Sequence, residues 1–157
     1  MRNDSMHIRD YREGDDDQIW NLHNEALNAV DAHAGNGPWD EDLKDIATAY
    51  MEAGGAFKVI EQNGTIIGMG ALKALGDGTF EVKRMRIAPV LQGRGLGKRL
   101  LQALEEAGEN LGARRFVLDT TTVQTVAQRM YETAGYRRIG TDKVGRFDVL
   151  VYEMRLE

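Results

Sequence analysis

The sequence predicts a mixed α/β (α+β) fold, with residues 1–157 as one domain. Three observations carry this reading. An Asn63-Gly64 pair separates two strand-like runs, a strand-helix-strand succession extends from Thr79 to Thr121, and apolar residues recur at helical spacing in four segments. A chain of 157 residues fits a domain of ordinary size.

Asp15, Asp16 and Asp17 are acids where a helix N-terminus favours them, and Ile19, Leu22, Ala26, Leu27 and Val30 follow at helical spacing. After a loop from Asp31 to Trp39, a second helix is expected from near Asp40. It places Leu43, Ile46, Ala47, Tyr50 and Met51 on one stripe and stops at Gly54-Gly55. Strands are expected at Phe57 to Gln62 and Thr65 to Leu75, joined by the Asn-Gly hairpin signal. Gly76-Asp77-Gly78 then turns into a strand from Thr79 to Ala88. A glycine-rich loop leads to a helix with Leu96, Leu100, Leu104, Ala107 and Leu111 inward and Gly112 as its stop. Phe116 to Thr121 reads as a strand parallel to the one before the helix, because such a crossover is right-handed almost without exception. A last helix from Val123 to Ala134 ends at Gly135, and strands near Tyr136 to Gly140 and Phe147 to Arg155 close the chain.

Composition removes several functions. There is no cysteine, so thiolate metal sites, disulfides and thiol nucleophiles are excluded; the sole serine is Ser5, near the N-terminus, and group transfer is expected to be direct. His7, His23 and His33 show no ligand spacing, and no metal is expected. No apolar stretch approaches the roughly 20 residues that cross a bilayer, and the polar Met1 to Asp10 is unlike a signal peptide, so a cytoplasmic protein is expected. A net charge of -5 argues against the nucleic-acid backbone as main partner. The charge is uneven, however. Six bases (Lys83, Arg84, Arg86, Arg94, Lys98 and Arg99) stand against one acid between Glu81 and Arg99, where a small polyanion would bind.

That basic run contains Gln92-Gly93-Arg94-Gly95-Leu96-Gly97-Lys98, between a strand ending at Ala88-Pro89 and an amphipathic helix. Glycines bring the backbone close to a ligand, and the free N–H groups of the next helical turn favour phosphate. A P-loop needs four residues between its glycines and a hydroxyl after the lysine, whereas three residues separate Gly93 from Gly97 and Arg99 follows Lys98. A dinucleotide fingerprint needs glycine where Lys98 stands, and an opening βαβ unit.

The pattern Gln/Arg-x-x-Gly-x-Gly/Ala after a strand resembles the coenzyme A pyrophosphate loop of the GNAT superfamily of N-acetyltransferases. Arg84-Met85-Arg86-Ile87-Ala88-Pro89 is similar to that family's fourth strand, and Ala127 to Tyr136 (AQRMYETAGY) to its last-helix signature. The resemblance implies a mixed central sheet of about seven strands flanked by about four helices, splayed between parallel strands four and five. It implies acetyl-coenzyme A as co-substrate, with backbone groups of Ile87 and Ala88 pairing with the pantetheine and Gln92, Gly93, Arg94, Gly95, Leu96, Gly97 and Lys98 holding the pyrophosphate. For Lys98 and Arg94 a solvated helix face is the competing reading. Ala127 lets the pantetheine approach, and Gln124 stands where many members have asparagine.

An alkyl amine with a pKa near 10.4 costs about 4.6 kcal/mol to present neutral at pH 7, so a base is expected. The resemblance puts a glutamate on strand four, and Glu81 fits it. Strand alternation places Glu81, Lys83, Met85 and Ile87 on one face, the cofactor's. Tyr131 occupies the place of the family's tyrosine that points at the coenzyme A sulfur. His33 and Trp39 in the first interhelix loop and Thr120 at a strand end are candidate acceptor contacts, with a surface histidine, a hydrophobic plug and ordinary strand chemistry as their competing readings. The leading expectation is acetyl transfer through a ternary complex to a primary amine, with a small molecule slightly favoured and a protein N-terminus or lysine left open. The acidity of the surroundings favours a cationic acceptor. The alternative is a coenzyme A-binding module without catalysis. A homodimer is the default assembly.

Overall fold

A computed structural model describes residues 6–29 and 36–156. Seven strands form one sheet: β1 (Met6–Asp10), β2 (Ala56–Gln62), β3 (Thr65–Gly76), β4 (Thr79–Ile87), β5 (Arg115–Thr121), β6 (Arg137–Val144) and β7 (Phe147–Arg155), in the spatial order β1-β2-β3-β4-β5-β7-β6. Three α-helices flank it, α1 (Asp16–Ala29), α2 (Leu96–Asn110) and α3 (Thr125–Thr133). Among the described residues only β4 and β5 pair in parallel, and every other pairing is antiparallel. Asn63 and Gly64 both take positive φ (52° and 83°), the backbone that a two-residue hairpin turn between right-twisted strands requires.

Each face of the sheet carries its own core. On one, α1 and the segment after it pack Ile19, Leu22, Ile46 and Tyr50 against Phe57, Val59, Met69 and Ala71. On the other, α2 and α3 pack Leu101, Leu104 and Tyr131 against Phe80, Val82, Phe116 and Leu118. Gly108 lets α2 come down on Phe116, for a Cβ there would lie 2.6 Å from that ring.

Two expectations need correction. Met6–Asp10, read as a polar N-terminus, is an edge strand paired with β2 from Met6↔Gln62 to Asp10↔Lys58. The expected helix from Asp40 to Met51 is instead a 3-10 segment (Pro38–Lys44) followed by a π turn (Ala47–Met51). The reason lies in two ion pairs. Asp42 receives Arg84 Nε and Nη2 at 2.9 and 2.6 Å, while Asp40 lies 3.5 Å from Arg84 Nη1. Residues two apart point about 160° from each other on an α-helix but about 120° on a 3-10 helix, so the tighter winding lets both acids face one guanidinium.

Strand β4 also departs from simple alternation. Its register against β3 runs Leu72↔Val82 and Ala71↔Lys83 but then Met69↔Arg86, so one extra residue is accommodated opposite Gly70. Arg84 absorbs it with φ 60°, a left-handed conformation costing an arginine about 1–2 kcal/mol, and the two hydrogen bonds it donates to Asp42 hold it there. The bulge reverses the faces. Phe80 and Val82 face α2, and so do Met85 and Ile87, which pack with Leu96 and Leu100. Glu81 therefore lies on the opposite face from Met85 and Ile87, and their expected common face does not exist.

Candidate functional site

Strands β4 and β5 pair only over Thr79–Glu81 and Arg115–Val117, and then part. Beyond that point lies a cavity of about 280 Å³ between the end of β4, the start of α2 and the inner face of α3. Of the glycine loop, Gln92, Gly93, Gly95, Leu96, Gly97 and Lys98 line it. From α3 come Gln124, Ala127 and Tyr131, and from β4 comes Ile87. Arg94 is exposed and Ala88, Thr120 and Glu81 are outside the lining. His33 and the side chain of Trp39 lie outside the described residues.

The loop reaches α2 through Gly93 and Gly95, both left-handed (φ 84° and 78°), and a Cβ on either would meet open space. Gly95 caps α2 without a side-chain hydrogen bond, so the first-turn N–H groups of Leu96, Gly97 and Lys98 keep their donors open. Gly97 serves packing instead: a Cβ there would sit 2.9 Å from Met130 Sδ. These residues fit a diphosphate, with open donors, the positive end of a helix and backbone that no side chain covers.

Ile87 and Ala88 differ. The Ala88 N–H is spent on Ile67 O at 2.8 Å and its carbonyl takes Leu91 N–H at 2.8 Å, so Ala88 has no donor left for an added strand. Alternation turns the Ile87 backbone the other way, toward the gap, where its carbonyl receives Gln92 Nε2 at 3.3 Å. The Gln124 carboxamide oxygen accepts from Thr121 N (3.2 Å), Thr121 Oγ1 (2.9 Å) and Thr120 Oγ1 (3.4 Å), which commits Thr120 inward, and Gln124 lines the cavity.

Tyr131 is 5% exposed, with its ring edge-on to Tyr136 at 5.9 Å. The neighbouring tyrosines spend their hydroxyls on Glu105 (2.9 Å) and Glu132 (2.6 Å), whereas the Tyr131 hydroxyl has no partner among the described residues. Burial pushes its pKa up, against the pull of Arg86. It is a hydrogen-bond donor more than a proton donor. Glu81 is the last β4 residue paired with β5. Burial raises its pKa, Lys83 opposes that, and Asp119 on β5 adds to it.

Sequence reading missed much of the cavity's apolar wall, and it placed one charge only in a general basic run. Met85 and Met130 form part of that wall, as do Val123 and Val126, which stand 47% and 66% exposed. The i, i+3, i+4 spacing of Val123, Val126, Ala127 and Met130 was the available signal. The charge is Arg86, which lies on the α1 face and still lines the cavity. Its Nε bonds His23 Nδ1 at 3.4 Å, and His23 Nε2 meets Asp40 Oδ1 at 3.0 Å. Burial, then Arg86 and Arg84, lower the His23 pKa to about 4, so the ring is neutral at pH 7. Nε2 carries the proton and gives it to Asp40, and Nδ1 accepts from Arg86. The basic run is therefore not one patch. Arg84 is committed to Asp42, Arg86 turns to the far face, and Lys98 is left at the α2 end of the cavity. Among the described residues no three His, Cys, Asp or Glu side chains group to hold a metal, and no helix is long and apolar enough to cross a membrane.

A sequence model described as the acetyltransferase (GNAT) family matches residues 17–136. The chain is 33% identical over 104 residues to YjgM, an uncharacterized N-acetyltransferase of Escherichia coli (strain K12), covering 64% of this chain and 62% of that protein. It superposes with a TM-score of 0.89 on an acetyltransferase of the GNAT family from Staphylococcus aureus Mu50, at 20% identity over 98% of this chain and 100% of the other. With the PaiA N-acetyltransferase of Thermoplasma acidophilum, crystallised with coenzyme A, the TM-score is 0.80 at 19% identity, over 98% and 100% of the two chains.

Proposed function

Since the chain belongs to the acetyltransferase (GNAT) family, we propose that it moves an acetyl group from acetyl-coenzyme A directly to a primary amine while both are bound. The observation that carries this is a single cavity joining the open start of α2 to the unpartnered hydroxyl of Tyr131 through the parting of β4 and β5. Acetyl-coenzyme A supplies the acetyl carbon as a thioester; the amine nitrogen bonds to that carbon as the carbon–sulfur bond breaks. The open N–H groups of Leu96, Gly97 and Lys98 hold the pyrophosphate, with the Lys98 ammonium beside them. The pantetheine runs past the backbone N–H of Ile87, the amide nitrogen of Gln124 and the small side chain of Ala127.

Glu81 takes the proton that the ammonium must lose. It stands four residues before Met85, about 13 Å along a strand, and outside the cavity lining, so it works through water or an acceptor that reaches it. Its raised pKa suits a base working near neutrality. Tyr131 donates a hydrogen bond to the departing sulfur. A direct route fits a chain without cysteine, whose sequence shows no threonine, lysine, tyrosine or histidine with an activating partner at a recognisable spacing to hold the acetyl group in transit. Residues 1–157 act as one catalytic domain, in the cytoplasm, on a small-molecule acceptor, and we expect a homodimer, which light scattering checks.

Thiol release from acetyl-coenzyme A over a panel of amines tests this reading. Release that depends on the amine, with reciprocal initial-rate lines that intersect, is the expected result. Parallel lines with an acetylated enzyme seen by mass spectrometry would overturn the direct route. Coenzyme A binding without any release would identify a binding module instead.

A further inference from the structure

Arg86 ends a chain of paired charges and keeps one edge unspent. Tyr50 bonds Asp42, Asp42 takes two arms of Arg84, and Asp40 takes His23 and lies 3.5 Å from Arg84. Both acids are thus engaged before Arg86 is reached. Arg86 forms no ion pair with a carboxylate among the described residues. Its Nε bonds His23 Nδ1 at 3.4 Å and its Nη1 bonds Met85 O at 2.9 Å. A guanidinium carries five N–H donors, so Nη2 with both its protons remains. No buried side-chain nitrogen or oxygen of the described residues lacks a partner, so Nη2 is not sealed in, and Arg86 lines the cavity.

The charges around it favour an anion. The cavity lining contains Arg86 and Lys98 and no Asp or Glu. Lys98 lies at the α2 end, where the pyrophosphate reading uses it, whereas Arg86 comes from β4 on the α1 face and shares the Tyr131 end, each group feeling the other's charge. Burial and Arg84 lower the Arg86 pKa to about 10, against the pull of Tyr131, Asp40 and Asp42, which still leaves a cation at pH 7. Neutral His23 orients it without competing for an anion. The net charge of -5 would steer cations to the molecule at large, but this wall would repel them.

Resting on the acetyl-transfer reading above, we infer that the acceptor is an amine that also carries a carboxylate, and that this carboxylate seats on the open Nη edge of Arg86. Arg86 is then the residue that selects the acceptor. Fork-shaped donors on a planar carboxylate give the contact its specificity.

The test compares L-aspartate, L-glutamate, L-phenylalanine and L-lysine with the same amino acids as carboxamides, and with putrescine, in the acetylation assay. Hydrogen bonds to charged groups predict a kcat/KM about 10- to 150-fold higher for each free acid than for its amide. Arg86→Met should bring that ratio toward one, and Arg86→Lys should keep part of it, as a point charge without the fork. Thermal unfolding shows that the variants are folded; if Arg86→Met is not, Arg86→Gln replaces it. A wild-type ratio near one would overturn the inference, as would a ratio unchanged in Arg86→Met. An equal loss on acids and amides would overturn it too, placing Arg86 on the thioester. Should no amine turn over while coenzyme A binds, acetyl transfer itself fails, and calorimetric titration of the same pairs into coenzyme A-saturated protein decides. Binding of the free acids that Arg86→Met abolishes upholds the carboxylate site, and absence of binding ends it.

Discussion

Replacing Gly95 by valine separates backbone shape from chemistry in the loop. Gly95 has φ 78° and ψ 9° at the cap of α2, and a Cβ there meets nothing within 4 Å. The cost to the free protein is therefore backbone strain without a clash, about 1–2 kcal/mol for a left-handed L-residue. For a domain of this size that lowers Tm by about 2–8 °C. Binding loses more. If the backbone stays left-handed, the valine fills the space that the loop leaves open for phosphate. If it relaxes, the N–H groups of Leu96, Gly97 and Lys98 lose their common aim. Three helix-end contacts at about 0.3–1 kcal/mol each amount to about 1–3 kcal/mol, or about 5- to 150-fold in the Kd for coenzyme A. Calorimetry with coenzyme A, beside thermal unfolding of the same preparation, measures both quantities. A folded variant that binds coenzyme A with the wild-type Kd would refute the assignment of this loop to the pyrophosphate.

Tyr131→Phe keeps the ring contacts and removes a hydroxyl without a partner among the described residues, so Tm should hardly change while kcat falls about 10- to 150-fold, the worth of a hydrogen bond to a charged atom; unchanged kcat would remove the hydroxyl from the reaction. Glu81→Gln should lower turnover about 100- to 10,000-fold in steady-state assays. The same change should raise stability at neutral pH, because a carboxyl whose folded pKa lies above its unfolded value binds its proton more tightly when folded, and that stability is lost as pH rises through the folded pKa. Melting curves of both proteins on either side of that window check the sign: the variant should gain on the wild type at the higher pH. Gly55→Ala would put a Cβ 1.9 Å from the Leu72 carbonyl oxygen, and since backbone has no rotamer to yield, a loss of about 3 kcal/mol or more is expected in urea unfolding.

Local chemistry was enough for the parts of this protein that neighbours in the chain determine. Asn63-Gly64 could be read as a hairpin because only such residues accept positive φ twice in succession. The Leu96-Leu100-Leu104 spacing predicts α2, and glycines ahead of it mark an anion-binding helix start, because period and φ are properties of a few adjacent residues. Tyr131 was legible through the resemblance of its helix. Tertiary structure decided the rest. Met6–Asp10 becomes a strand only because β2 offers it an edge 50 residues away, and Asp40 and Asp42 give up an α-helix for Arg84 and His23. The extra residue in β4 is fixed by pairing with β3, and that one-residue shift moves Met85 and Ile87 to α2 and Arg86 to α1. A strand's side-chain period is two, so a single bulge inverts every facing after it. That is why the sequence could mark the glycine loop ahead of α2, which lines the cavity, yet could not say on which side of the sheet Glu81 and Arg86 would stand.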